Sequence, residues 1–182
     1  MILFIHEGRP GQTDAQVKLA AAVYAEKTGI ALSDELIIER TEKGKPFFVN
    51  DQNVYFSVSH SGDMWVCLMA DSPVGVDIQE VRTARTEEIA KRYFTEQEKH
   101  YVDLWGEEGF YDLWVRKEAL VKYFGLTMAQ GISGFEVAKN GDLPDEVCIG
   151  DEPVKLTAIE MGPYVKCAYA HSKDEEVEIE WI

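Results

Sequence analysis

Positive charge is scarce in this sequence. Its 182 residues include 18 Lys and Arg against 33 Asp and Glu, so the net charge at pH 7 is −15. Such an excess of negative charge argues against a general affinity for nucleic acids or anionic membranes, and we predict neither as a partner. An anionic ligand would have to be held by a local basic cluster.

Cysteine is scarce too, and its spacing argues against two classes of site. Cys67, Cys148 and Cys167 are odd in number and show no CxxC spacing. Two of them lie in apolar runs typical of strands, so we predict reduced core residues rather than a disulfide framework. The four histidines also lack the paired spacing of zinc ligands.

Long apolar runs are absent as well. The apolar stretch that begins the sequence is far too short for a membrane span or a signal peptide, and no basic region precedes it. We therefore expect a cytoplasmic protein. Apolar residues make up 46% of the chain, which is enough to bury the core of one domain or of two small halves.

The apolar periodicity predicts an α+β fold. A strand and a helix open the sequence, and short strands follow as far as residue 81. A capping box of Thr95 and Glu98 predicts the start of one helix, and a long apolar helix is expected from about Glu108 to Phe124, where Gly125 ends it. Further strands follow, the first at residues 134–141. We predict two similar halves, residues 1–82 and 83–182, each combining a small antiparallel sheet with a helix, and a polar hinge at residues 81–89.

The strand predicted around residues 73–81 carries a lone carboxylate. Strand alternation puts Asp77 and Gln79 on one face and the apolar residues Val76 and Ile78 on the other. Asp77 then either faces water at the edge of a sheet or belongs to a site.

The long helix carries an acid and a base one turn apart. Glu118 and Lys122 fall in a sector flanked by Trp114 and Val121, where burial is expected. They form either a simple intrahelical ion pair or part of a site in which a cation meets the buried carboxylate. The sector expected to meet solvent contains Asp112, Arg116, Ala119 and Tyr123.

The stretch Ser59-His60-Ser61-Gly62 has two interpretations. A turn rich in Ser and Gly can present N–H groups and an imidazole to a phosphate, or its histidine can simply satisfy nearby backbone groups. A serine hydrolase is not indicated, because neighbouring strand residues point apart and no GxSxG motif is present. Arg40, Lys43 and Lys45 form the one basic island in the acidic first half.

Four motifs in a fixed order together resemble a known family. They are GKP at residues 44–46, FSVSHSG at 56–62, GVDIQ at 75–79 and WVRKEALVK at 114–122. In this order they are similar to 4′-phosphopantetheinyl transferases of the Sfp type, over a stretch from about Arg40 to Leu126.

The resemblance implies a fold of two similar halves related by a pseudo-twofold axis, with coenzyme A in the cleft between them. It implies a Mg²⁺-dependent enzyme that transfers the phosphopantetheine arm of coenzyme A to a serine of an apo acyl or peptidyl carrier protein and releases 3′,5′-ADP. The carrier could serve fatty acid, polyketide or nonribosomal peptide synthesis.

The resemblance also assigns roles to individual residues. Asp77 and Glu118 would bind Mg²⁺, with Glu118 also the base for the incoming serine, and Lys122 would meet the pyrophosphate. The predicted contacts with coenzyme A are Lys45, Ser59, His60, Arg40 and Lys117.

Gln79 departs from the family pattern, which often has a second acid at this place. An amide oxygen can still bind Mg²⁺ but brings no charge, so we expect Gln79 to be a weaker metal ligand. This leaves two alternatives, a non-catalytic module that binds coenzyme A and an adaptor that docks carrier proteins. We predict a monomer, and docking of the carrier on an apolar patch with Arg82, Arg85 and Arg116 beside it.

Overall fold

A computed structural model describes residues 1–8, 13–82 and 86–182. The strands are β1 (Ile2–Glu7), β2 (Ile38–Arg40), β3 (Pro46–Phe48), β4 (Tyr55–Ser61), β5 (Met64–Ala70), β6 (Val74–Glu80), β7 (Glu146–Ile149), β8 (Glu152–Glu160), β9 (Val165–His171) and β10 (Glu178–Trp181). The helices are α1 (Thr13–Thr28), α2 (Thr86–Tyr93), α3 (Glu96–Tyr123) and α4 (Met128–Gly131).

Two four-stranded sheets and one small hairpin organise these strands. The first sheet has the order β10-β1-β5-β4, the second has the order β6-β9-β8-β7, and β2 pairs with β3. All pairs are antiparallel except β1 with β10, which run parallel. The predicted α+β class is therefore confirmed.

The sheets do not divide the chain at residue 82. Strand β6 precedes that boundary yet belongs to the second sheet, and β10 follows it yet completes the first sheet. A boundary at 82 thus separates sequence halves but not sheets, and both the boundary and the pseudo-twofold axis stay predictions.

Buried serines join the two sheets along a seam between β4 and β6. The backbone N–H of Val76 donates to Ser57 Oγ at 3.0 Å, and that of Glu80 donates to Ser61 Oγ at 2.9 Å. The residue numbers rise together, so β4 and β6 run in the same direction. Side-chain oxygens thus satisfy buried backbone donors that would otherwise be costly.

Apolar packing lies on both sides of this seam. Helix α1 covers one face of the first sheet, where Val17 and Tyr24 pack in the cluster that contains Phe4 and Trp65. The other face of the first sheet packs on the second sheet, and side chains such as Leu3 from β1 and Val76 from β6 share that core. Strand β6 is therefore held between α3 and the first sheet.

Helix α3 joins the helix predicted after Thr95 and the long helix predicted from about Glu108 into one element. Thr95 and Glu98 form the expected capping box, and Gly125 follows the helix with φ 60°. Within α3, Gly106 has φ 64° and interrupts the helix, so two helical segments meet there.

The predicted solvent face of α3 is wrong. Arg116, Ala119 and Tyr123 are buried, because neighbouring elements cover the helix on several sides. Arg116 donates to the carbonyl oxygens of Pro144 and Leu156 at 3.3 and 3.2 Å. Its guanidinium is therefore engaged inside the protein and is not available for the predicted carrier docking.

Two other predictions about elements need correction, and one strand was not predicted. No strand forms at residues 134–141, where an isolated bridge between Lys139 and Asp142 closes an Asn-Gly turn. In the proposed hinge, residues 86–89 belong to α2, while residues 83–85, including Arg85, lie outside the described residues. Strand β7 was not predicted.

The free cysteines agree only in part with the prediction. Cys67 and Cys167 are buried in the core, whereas Cys148 is exposed on β7.

Across residues 1–8, 13–82 and 86–182, no helix combines the length and apolar composition that crossing a membrane requires.

Gly75 sets how closely β6 approaches α3. A Cβ at this position would lie 2.0 Å from the Ala119 carbonyl oxygen and 2.5 Å from the Tyr123 nitrogen. Because both are backbone atoms, helix and strand would have to separate. We expect Gly75→Ala to lower the free energy of unfolding by about 3 kcal/mol, measured by urea denaturation.

The matched control for this prediction is Gly44→Ala. Gly44 has φ 90° and open space around it, so alanine there adds backbone strain of about 1 kcal/mol without a clash. Equal losses of stability in the two variants would contradict the steric explanation.

Candidate active site

Asp77 is buried where β6 faces α3. Its residue is 3% exposed, and Asp77 shares its strand face with Gly75, whose missing side chain admits the helix. The predicted alternation is confirmed, since Val76 and Ile78 pack into the core on the opposite face. The interpretation of Asp77 as a solvent-facing residue is wrong, because α3 covers this face of the sheet.

Two donors converge on one oxygen of Asp77. Ser59 Oγ donates to Asp77 Oδ1 at 2.6 Å, and Lys122 Nζ donates to the same oxygen at 2.7 Å. The other oxygen, Oδ2, is buried and receives no hydroxyl, ammonium or backbone donor among the described residues, although the Glu118 carboxyl group hydrogen-bonds the Asp77 carboxylate when it carries a proton. A buried carboxylate oxygen without a partner costs free energy unless a proton or a cation meets it.

Glu118 lies beside Asp77 and holds a proton unusually firmly. Burial raises the pKa of Glu118 to about 7, and the nearby charge of Asp77 raises it further, while Lys122 and a hydrogen bond from Trp114 oppose the rise. Lys122 is thus more than the partner of a simple intrahelical pair, because its ammonium bridges from α3 to Asp77 on β6.

The pair of carboxyl groups fits a divalent cation with hard oxygen ligands. Asp77 offers the unpartnered Oδ2, and Glu118 offers a carboxyl group whose charge its surroundings leave poorly compensated. In the described parts of the chain no group of three or more His, Cys, Asp or Glu side chains could hold a metal ion. Mg²⁺ suits such a site, since it commonly binds one or two carboxylates and completes its shell with water and phosphate.

Gln79 is half-buried on β6, two residues after Asp77 and on the same strand face, with Lys166 opposite it on β9. Its role as a metal ligand stays a prediction.

The stretch Ser59-His60-Ser61-Gly62 is placed differently from the prediction. Its first three residues belong to β4, so His60 lies in the strand, and Gly62 alone belongs to the turn. His60 is exposed and alternates with Ser59, which turns it to the opposite face. The Glu80 carboxylate fills the space beside Gly62, so a phosphate bound on this turn would meet a negative charge.

The basic island does not gather at one point. Arg40 is exposed and donates to Asp14 Oδ1 at 3.0 Å. Lys45 turns inward, where its Nζ donates to the Tyr123 carbonyl oxygen at 2.8 Å at the end of α3, and burial lowers its pKa to about 8. Lys45 also lines a groove of about 470 Å³ to which five aromatic residues contribute.

Lys117 does not face this site. It is 0% exposed, and its Nζ donates to Glu98 Oε1 and Oε2 at 2.6 and 2.9 Å and also to the Phe135 carbonyl oxygen. Its position argues against the predicted contact with coenzyme A. Consecutive helix residues point in directions about 100° apart, so of Lys117 and Glu118 it is Glu118 that faces β6.

Two contacts in the site were not predicted from the sequence. The hydrogen bond from Trp114 to Glu118 could have been found, because the residues are four apart on one helix. The contact between Ser59 and Asp77 had no comparable signal beyond the alternating serines of β4.

We predict that the metal-free protein loses stability as pH rises from about 4.5 to about 7. Glu118 ionises near pH 4.5 when unfolded but near pH 7 when folded, so the folded state binds more protons in this window. Linkage then makes this contribution to stability present below pH 4.5 and lost as pH rises through 7. Urea unfolding in EDTA should show a steeper fall for the wild type than for Glu118→Gln, and parallel slopes would contradict the assignment.

Comparison with known proteins identifies the family of this chain. A profile of the 4′-phosphopantetheinyl transferase superfamily matches residues 73–163, which include Asp77, Glu118 and Lys122. The chain is 31% identical over 161 residues to the 4′-phosphopantetheinyl transferase psf-1 of Bacillus pumilus, across 80% of this chain and 66% of the relative. It is 30% identical over 135 residues to the 4′-phosphopantetheinyl transferase Sfp of Bacillus subtilis (strain 168), across 70% of this chain and 59% of the relative.

A mammalian relative matches as well. The chain is 33% identical over 150 residues to the L-aminoadipate-semialdehyde dehydrogenase-phosphopantetheinyl transferase of Rattus norvegicus, across 69% of this chain and 46% of the relative. The chain thus spans between 46% and 66% of the length of these three relatives. Because the profile covers half of the chain and relatives of about 30% identity match across most of it, the chain belongs to the 4′-phosphopantetheinyl transferase superfamily, with similarity to its Sfp-type members.

Proposed function

We propose that this protein transfers the 4′-phosphopantetheine arm of coenzyme A to a serine of an apo acyl or peptidyl carrier protein and releases 3′,5′-ADP. The observation that carries the proposal is the cluster of Asp77, Glu118 and Lys122, with an unpartnered carboxylate oxygen in a family of phosphopantetheinyl transferases. The activity is proposed to depend on Mg²⁺ held by Asp77 and Glu118, with Gln79 nearby.

The chemistry requires that negative charge be neutralised near the reacting phosphorus. The serine oxygen forms a bond to the β-phosphorus of coenzyme A, and the bond from that phosphorus to the bridging oxygen breaks, which leaves 3′,5′-ADP. Mg²⁺ bound by the two carboxylates would supply positive charge to the diphosphate. Lys122 supplies a further positive charge from α3, since its ammonium already reaches Asp77 Oδ1.

Glu118 is suited to accept the serine proton. A general base must be ionised before it accepts a proton. Burial raises the pKa of Glu118 to about 7 in the metal-free protein, and a divalent cation bound beside it would lower that pKa and favour the ionised form. The proton leaves the serine hydroxyl as the bond to phosphorus forms and passes to the Glu118 carboxylate. Glu118 is then both a metal ligand and the proton acceptor.

Contacts with the nucleotide end of coenzyme A are supported unevenly. His60 is exposed on β4 and points to the face opposite Ser59 and Asp77, so its imidazole can meet a phosphate that lies outside the buried cluster. Lys45 and Arg40 would first have to leave Tyr123 and Asp14, respectively. We therefore propose His60 as the main contact among these three.

The proposed partner is an apo carrier protein. We propose that the enzyme acts on it in the cytoplasm and as a monomer. Arg82 is exposed on the described surface but donates to Glu80, and carrier domains are commonly acidic. An attraction through Arg82 would therefore compete with an internal ion pair and with the net charge of −15.

The proposal is tested by weighing intact carrier proteins. The protein is incubated with coenzyme A, Mg²⁺ and a panel of apo carriers from fatty acid, polyketide and peptide synthesis. We expect one or more carriers to gain about 340 Da, the mass of the phosphopantetheine arm, and EDTA to abolish the gain. Coenzyme A binding with no mass gain on any carrier would favour the non-catalytic binding module. Carrier docking that persists unchanged in Glu118→Ala, with no mass gain on any carrier, would favour the adaptor.

A further inference from the structure

One of three equivalent serines on β4 makes a contact that the other two do not. Ser57, Ser59 and Ser61 alternate along the strand, and all three are buried. The outer two accept backbone N–H groups of β6, from Val76 and Glu80. Ser59 instead donates its hydroxyl hydrogen to a side chain, the carboxylate of Asp77, at 2.6 Å.

This contact uses the only proton that Ser59 can donate. A serine hydroxyl has one O–H donor, so a hydroxyl committed to Asp77 has none left for a phosphate oxygen. Binding of an anion to Ser59 Oγ would require breaking a short, buried hydrogen bond to a charged group, which is among the stronger kinds. The resemblance to the family implied that Ser59 contacts coenzyme A, whereas in the structure its hydroxyl group donates to Asp77.

The two oxygens of Asp77 are thereby made unequal. Oδ1 receives both the hydroxyl of Ser59 and the ammonium of Lys122, within 2.7 Å. Oδ2 receives no hydroxyl, ammonium or backbone donor among the described residues. The Asp77 carboxylate also hydrogen-bonds the neighbouring Glu118 carboxyl group when that group carries a proton, and a cation would take the place of this proton.

We propose that Ser59 is a positioning residue that orients Asp77 so that Oδ2 alone is presented to a divalent cation. The inference rests on the proposed function, because it takes Asp77 as a ligand of that cation. Groups that hold a metal ligand in place affect metal affinity by about 10- to 100-fold in other proteins. Ser59 would act in this way without touching either the cation or coenzyme A.

The test measures metal binding and coenzyme A binding separately. Mn²⁺ replaces Mg²⁺ so that the free ion can be counted by electron paramagnetic resonance, first with the protein alone and then with coenzyme A. We expect Ser59→Ala to weaken Mn²⁺ binding about tenfold and Ser59→Thr, which keeps the hydroxyl, to restore most of the affinity. In EDTA, Ser59→Ala should bind coenzyme A as tightly as the wild type does.

Ser57→Ala is the matched control. It removes a buried hydroxyl from the same face of the same strand, so it reports general damage to the seam between β4 and β6, which circular dichroism and thermal unfolding would also show. We expect its Mn²⁺ affinity to stay within about twofold of the wild type, because Ser57 does not contact Asp77, whereas Ser59 holds this metal ligand in place.

Several outcomes would overturn the inference, and they differ from failure of the proposed function. Unchanged Mn²⁺ affinity in Ser59→Ala, or equal loss in Ser57→Ala, would show that Ser59 does not position Asp77. Weaker coenzyme A binding by Ser59→Ala in EDTA would make Ser59 a direct contact instead. A wild-type protein that binds no Mn²⁺ with or without coenzyme A would remove the metal site itself, and the inference with it.

Discussion

Glu118→Gln is expected to lower the rate of phosphopantetheine transfer by about 10³-fold. The substitution keeps the size of the side chain but removes the group proposed to accept the serine proton, and general base catalysis is commonly worth between about 10² and 10⁴ in rate. It also removes one of the two negative charges that would hold Mg²⁺. The loss is measured by following the intact mass of the carrier over time at saturating coenzyme A.

Dependence on Mg²⁺ separates the two roles of Glu118. If the residue acted only as a metal ligand, high Mg²⁺ would restore the rate of Glu118→Gln. We expect the rate to stay low, because the proton acceptor is still missing.

Asp112→Asn is the matched control on the same helix, since Asp112 lies near the surface and pairs with Lys166 at 3.1 Å. Similar losses in both variants would point to damage of α3 rather than of the site.

Lys117→Met is expected to lower the free energy of unfolding by about 4 kcal/mol. Lys117 and Glu98 are both 0% exposed and form an ion pair inside the second half of the chain. Removing one partner leaves the other charge buried without compensation, which costs about 3 to 5 kcal/mol. Glu98 also accepts the backbone N–H groups of Thr95 and Val137, so it cannot turn away easily.

The measurement is urea unfolding of the variant beside two others. Lys99→Met breaks a second Lys–Glu pair on the same helix, with Glu96 at 2.8 Å, but this pair is near the surface and should cost less than about 1 kcal/mol. The double variant Glu98→Gln, Lys117→Met removes the uncompensated charge and should regain part of the stability. Equal losses for Lys117→Met and Lys99→Met would show that burial does not set the cost of this pair.

The two predictions depend on neighbouring residues of one helix whose roles the sequence could not separate. Lys117 and Glu118 stand together in the motif WVRKEALVK, and both were assigned to the site. Helix geometry sends them in different directions, Glu118 towards Asp77 on β6 and Lys117 towards Glu98 near the start of α3. A motif names residue types in order, whereas the partner of each side chain depends on what packs against that side of the helix.

The sequence by itself determined the elements whose signals are local. Strand β1, helix α1, the capping box at Thr95 and Glu98, and the alternation around Asp77 all follow from periods of 2 or 3.6 residues and from capping rules. The order of four short motifs also indicated the family correctly.

Tertiary structure alone decided which of these residues meet. Strand β6 belongs to the first half of the sequence but pairs within the second sheet. The seam between β4 and β6 places Ser59 next to Asp77, 18 residues away in sequence. Arg116 was expected at the surface because periodicity shows which residues share a face but not how many faces the rest of the chain covers. Such contacts depend on long-range packing, which local patterns do not encode, and so the inward turn of Lys45 and the unpartnered oxygen of Asp77 became visible only in the folded chain.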